Sequence, residues 1–139
     1  MATNQLVQSY SRKILKALAH LEYSYGKVSK LPNQIEKLDE EGLETWESFT
    51  SRFSRVVDLY LTKFCKAKVL VNDAGFDGTL RDFINQAEKM GLVESADRWM
   101  DYRGIRNSAA HEYEEADLGA FFDGARRATP EVLSIKKLL

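Results

Sequence analysis

From Leu43 to Val71 the side chains Leu43, Trp46, Phe49, Phe53, Val56, Tyr60, Phe64, Ala67 and Val71 recur at steps of three and four. That spacing follows the 3.6-residue turn of an α-helix and not the two-residue alternation of a strand. So long a stripe turns one helix face toward a core and leaves the charges outside. It predicts a helix over residues 40–71. A second stripe, Val7, Tyr10, Ile14, Leu18, Leu21, Tyr25 and Val28, predicts another over 4–29.

The punctuation between stripes is equally local. Pro32 and Asn33 mark a link over Ser29–Asp39, and Asn72-Asp-Ala-Gly-Phe-Asp-Gly78 reads as a loop. Thr79-Leu-Arg-Asp82 resembles a capping box with Asp in place of Glu, opening a short helix that Gly91 can close. Further helices are expected over Ser95–His111 and from Asp117 to Leu139, the last kinked or split at Pro130. No hairpin signal competes with this pattern. Helix count and short links predict an all-α antiparallel helical bundle, one domain over residues 1–139.

Composition excludes several classes. With 139 residues and 44% hydrophobic side chains, the chain can build a core without disulfides or metal. A net charge of −1 gives no overall field to draw in nucleic acid, so any such binding requires a local patch. The lone cysteine, Cys65, lies on an apolar helical stretch and reads as a small buried side chain. No Cys/His cluster suggests zinc. The opening Met1-Ala-Thr-Asn-Gln lacks a basic region followed by an apolar core, and no apolar run is long enough for a bilayer. A cytoplasmic protein is the expectation.

One stretch looks chemical: Arg106-Asn-Ser-Ala-Ala-His111-Glu-Tyr113. On a straight helix a five-residue step turns about 140°, so Arg106 and His111 would not share a face. Asn107 and His111 would, and Arg103 extends that stripe backwards. Arginine and histidine meet if the helix ends near His111, or if a second copy of the chain supplies the partner residues. The chemistry suits cleavage of an RNA strand. A guanidinium holds phosphate through a planar fork and stabilises charge developing on phosphorus. An imidazole serves as general base or acid near neutral pH, and Asn107 can orient either group. The ribose 2′-hydroxyl would be the internal nucleophile, so the reaction requires no metal or other cofactor. The bland alternative is an Arg/His pair that caps carbonyls or pairs with Glu112, Glu114 and Glu115.

The pattern Arg106-x-x-x-x-His111-x-Tyr113 resembles the signature of HEPN-domain proteins, and most closely the HepT toxin and nucleotidyltransferase substrate-binding branch. Glu47-Ser-Phe-Thr-Ser-Arg52-Phe53 with Asp58-Leu-Tyr60 is similar to that branch's long second helix. Thr79-Leu-Arg-Asp-Phe-Ile and Arg98-Trp-Met-Asp-Tyr-Arg103-Gly-Ile-Arg-Asn107 match the approach to its motif. The stretch Leu61-Thr-Lys-Phe-Cys-Lys66 lacks a tryptophan often found in relatives. The likeness spans roughly residues 43–122.

The resemblance implies an up-and-down four-helix bundle with an additional short helix, paired as a homodimer whose two Arg/His sets line a shared cleft. It implies a metal-independent endoribonuclease toxin with Arg106 and His111 catalytic and Asn107 and Arg103 supporting. It further implies that an MntA-type nucleotidyltransferase antitoxin neutralises the toxin by AMP transfer to Tyr113. The same motif also occurs in relatives described as non-catalytic substrate-binding subunits of a minimal nucleotidyltransferase, and that reading stays open.

Other features carry plainer readings. Arg52, Arg55, Lys63 and Lys66 share a helix side with Leu59, as a solvated face, as a guide for RNA backbone or as a surface for an acidic partner. His20 reads as structural or surface, and Trp46 and Trp99 as core. Asp58, Asp97 and Asp101 do not form a paired acid/base or magnesium site.

Overall fold

A computed structural model describes residues 2–109 and 115–139, with side chains over 4–105 and 117–139. Every regular element among the described residues is helical. Helix α1 spans Ala2–Val28, and α2 spans Glu40–Leu59. A π-helical segment, Tyr60–Cys65, joins α2 to α3, Lys66–Asn72. Short α4 spans Leu80–Lys89, α5 spans Ala96–Ala109 and α6 spans Glu115–Ser134. Short 3₁₀ turns occupy Ile35–Lys37 and Ile135–Leu138. No described helix is long and apolar enough to cross a membrane.

Helix ends form where local chemistry directs. The Asp39 side chain accepts from the Gly42 amide at 2.7 Å and caps α2. At α4 the capping box is complete: Thr79 accepts from the Asp82 amide, and Asp82 accepts from the Thr79 amide. Gly78 sits at φ +151°, and a Cβ there would lie 2.6 Å from Asp82 Oδ2. The box therefore needs glycine at its entrance. Gly91, at φ +78°, closes α4 as expected. Its amide bonds the Glu88 carbonyl and the Leu92 amide bonds that of Ala87, the paired bonds of a Schellman motif.

The helix expected over 40–71 is found as one helical run from Glu40 to Asn72, with π geometry in its Tyr60–Cys65 segment. Tyr60, Leu61, Phe64 and Cys65 of that segment are all buried, on the core side of the helix. Of the two outcomes expected at Pro130, a kink or a split, the split is corrected: the last helix runs unbroken to Ser134. Proline removes one amide donor to the carbonyl four residues back. Pro130 lies on the exposed side, and the neighbouring Thr129 hydroxyl donates to the Ala125 carbonyl at 2.7 Å.

The core lies where the predicted stripes meet. Trp46, Phe49, Phe53, Val56, Tyr60 and Phe64 are all buried, and so are Ile14, Leu18 and Leu21 of α1. Trp46 stacks on Phe122 at 4.9 Å between ring centres and ties α2 to α6. Its indole N–H donates to the Pro32 carbonyl and fixes the first link. Phe53 meets Tyr102, and Tyr60 meets Trp99, so α2 and α5 run antiparallel. Helix α1 also runs antiparallel to α2–α3. Arg52 bonds to His20 and Ser24, while Arg12 and Phe64 border one cavity at the other end.

Candidate functional site

Helix α5 carries the start of the chemical motif. Arg106 and Asn107 lie in its last turn, described in backbone only, and His111 and Tyr113 fall outside the described residues. Arg103, one turn earlier, is half-buried. Its Nε is buried and has no hydrogen-bond acceptor among the described residues. Buried polar atoms nearly always find a partner, so an unmatched donor one turn before Arg106 calls for an acceptor.

The upstream half of α5 is fixed by a group that sequence reasoning missed. The Glu131 carboxylate of α6 accepts from Arg98 Nε at 2.8 Å, Arg98 Nη2 at 2.9 Å, Trp99 Nε1 at 3.0 Å and the Tyr102 hydroxyl at 2.5 Å. The arginine contact is the bidentate fork that suits a carboxylate. Positions 98, 99 and 102 share one side of the helix. One carboxylate thus sets the rotation of α5 about one turn before Arg106. The Arg98 guanidinium holds the Glu131 carboxyl below its usual range, with smaller help from Tyr102 and Trp99. Burial, then hydrogen bonding to Glu131, pushes the Tyr102 hydroxyl up to about 12. Both groups keep their ordinary charge at neutral pH, so the cluster is a structural lock. Nothing in the local pattern around Pro130-Glu131 announces it, because all three donors lie about thirty residues upstream.

The remaining titratable groups fill structural roles. Burial pushes the Tyr60 hydroxyl far up, and its hydrogen bond goes to the Leu92 carbonyl. Burial likewise raises the Cys65 thiol, so the inert reading of this cysteine fits its environment. Asp97 pairs with Arg81 on the surface. Among the described residues no cluster of three His, Cys, Asp or Glu could hold a metal ion. A cavity of about 370 Å³ bordered by Glu88, Trp99, Glu131 and Lys137 adjoins the lock, yet its carboxylate Glu131 is already committed to Arg98, Trp99 and Tyr102.

The basic residues singled out on the second helix divide. Arg52 Nη1 donates to the Ser24 hydroxyl at 2.8 Å and the His20 carbonyl at 3.2 Å, so it fastens α2 to α1. Lys66 lies 5.1 Å from the centre of the Phe83 ring and covers the joint with α4. Arg55 and Lys63 remain exposed. His20 is exposed as well, and Trp46 and Trp99 are fully buried core residues with satisfied N–H groups.

Compared with known proteins, the chain matches no family model, no curated protein and no solved structure.

Proposed function

We propose that the chain is a HepT-like toxin of the HEPN class, a metal-independent endoribonuclease acting as a homodimer. In this reading the helices form an up-and-down four-helix bundle with α4 as the additional short helix. Arg106 grips and neutralises the scissile phosphate, and His111 moves the proton between the ribose 2′-hydroxyl and the leaving oxygen. Asn107 and Arg103 support them. A nucleotidyltransferase antitoxin of the MntA type silences the site by AMP transfer to Tyr113, which sets phosphate charge and bulk beside His111 and repels the RNA backbone.

The observation that carries this reading is the Arg106–His111–Tyr113 set in the sequence, whose first member lies in the last turn of α5 within a frame that is helical throughout the described residues. Two features support it. The helix is held one turn upstream by Glu131, which suits a side chain that must meet a phosphate within a fraction of an ångström. Arg103 brings a buried donor that lacks an acceptor among the described residues.

The test is RNA cleavage by the purified protein beside Arg106→Ala and His111→Ala. Loss of a general acid/base lowers the rate by about 10²–10⁴-fold. Equal turnover in all three proteins would trace the activity to a contaminant and end the nuclease reading. Co-purification with a nucleotidyltransferase without any RNA turnover would instead support the non-catalytic substrate-binding subunit.

A further inference from the structure

We infer that the seam between α1 and α2 is a binding surface for single-stranded RNA, separate from the motif on α5. The inference extends the nuclease reading by giving its substrate a second place to dock.

Charge is segregated along this chain. Residues 1–35 hold Arg12, Lys13, Lys16, Lys27 and Lys30 against a single acid, Glu22, a net of +4 in a protein whose total is −1. Helical phase sorts these cations. Lys13, Ala17, His20, Ser24 and Lys27 follow steps of four and three, and so share one flank of α1. Ser24 on that flank is where Arg52 of α2 bonds. The Arg52 side of α2 continues through Leu59 to Lys63, with Arg55 just outside it. Both basic flanks therefore border the same seam.

The antiparallel register aligns them. Arg52 meets α1 at His20 and Ser24. Eleven residues further along the chain, past the end of α2 and into the π-helical segment, Lys63 comes level with Lys13. Arg12 and Phe64 bordering one cavity fixes the same register independently. Lys13, Lys16, Arg55 and Lys63 are all exposed. Among the described residues none of the four has a carboxylate within ion-pair distance.

An aromatic ring selects the class of polyanion. Tyr23 is 66% exposed, the most exposed of the large apolar side chains among the described residues. It belongs to the stripe Lys16, His20, Tyr23, Lys27, and Lys27 Nζ lies 5.5 Å from its ring centre. A cationic track with an open aromatic face is how proteins hold single strands: lysine and arginine follow the phosphates while a base stacks on the ring. An acidic polypeptide would use the cations and leave the ring idle.

The test is fluorescence anisotropy with a labelled 2′-O-methyl oligouridylate. Such a strand cannot be cut through its 2′ oxygen, so binding is read apart from chemistry. The wild type is expected to bind with a steep salt dependence. Changing Lys13, Lys16, Arg55 and Lys63 to glutamine should weaken binding and flatten the slope of log K against log salt by about 0.7 per cation removed. The four single variants, each at an exposed position, should show the same step one at a time. Tyr23→Ala should weaken binding about ten-fold without altering the slope.

Wild-type affinity and slope in the four-fold variant would overturn the inference, as would a wild type that does not bind the strand. So would binding of polyglutamate that needs the same four cations and ignores Tyr23→Ala, which would mark a surface for an acidic protein. A seam that binds the strand in a protein that cuts no RNA would stand while the nuclease reading fell. Cutting with an unchanged KM in the four-fold variant would remove the seam and leave the nuclease.

Discussion

Two arginines each bridge a pair of helices, and they do it in opposite ways. Arg98 on α5 meets a carboxylate on α6 that also takes the Trp99 and Tyr102 donors, so the two charges match each other within the chain. Arg52 on α2 meets a hydroxyl and a carbonyl on α1, neither of which carries charge. The first bridge leaves no electrostatic demand on anything outside. The second leaves its own positive charge, and those of the lysines and Arg55 around it, open to solvent. Charge that is matched within the chain builds architecture, whereas charge left unmatched is available to a partner.

The largest effect that would break this comparison is at the centre of the α5–α6 lock. Trp99 is 1% exposed, packs on Tyr60 and donates to Glu131. Trp99→Ala should cost about 3–5 kcal/mol in denaturant unfolding. A cost below about 1 kcal/mol would show that the lock is not part of the cooperative core.

Glu131→Ala comes next, at about 2 kcal/mol, dominated by the buried indole N–H left without an acceptor. The Arg98 contribution is small because that side chain is 42% exposed and water screens it. The same carboxylate gives a pH signature. Its folded pKa is depressed, so its stabilisation is complete above its ordinary value of 4.5 and is lost as pH falls through the lowered folded value. Acid unfolding of the wild type should therefore be steeper below pH 4.5 than that of Glu131→Gln, which has no carboxyl to titrate there. Coincident acid limbs would refute the assignment.

Arg52→Ala should cost about 1 kcal/mol, one part-buried hydrogen-bonded contact between α1 and α2. Smallest of all, Lys16→Gln should shift stability by less than about 0.5 kcal/mol, because an exposed cation with no ion-pair partner among the described residues holds nothing in the fold. A larger loss at Lys16 than at Arg52 would reverse the contrast between the matched and the open charges. Thermal or denaturant unfolding reads both.

Much of the fold was legible because its signals are local. The stripe marks its buried face by spacing alone from Trp46 to Ala67, although its last member, Val71, is exposed, and Thr79, Asp82 and Gly91 mark the ends of α4 by chemistry within a turn. Trp46 and Trp99 read correctly as core for the same reason. The π segment was not legible, since Tyr60–Cys65 contains no glycine or proline to announce a change of pitch. Pro130 does not split its helix, because one missing donor on an exposed face does not outweigh the packing of a whole helix.

The candidate site divides along the same line. By itself the sequence determined that the described residues are helical, where most helices start and stop, and that Arg106, Asn107, His111 and Tyr113 lie within eight residues of one another along the chain, the first two in the last turn of α5. Those are properties of neighbours within a few residues, fixed by covalent spacing and turn geometry. Only the tertiary structure decided that Glu131 takes hold of α5 and that Arg52 lays a basic flank of α2 beside a basic flank of α1. Such pairings join residues about thirty positions apart, and they exist only once buried faces have met and set the helices in register.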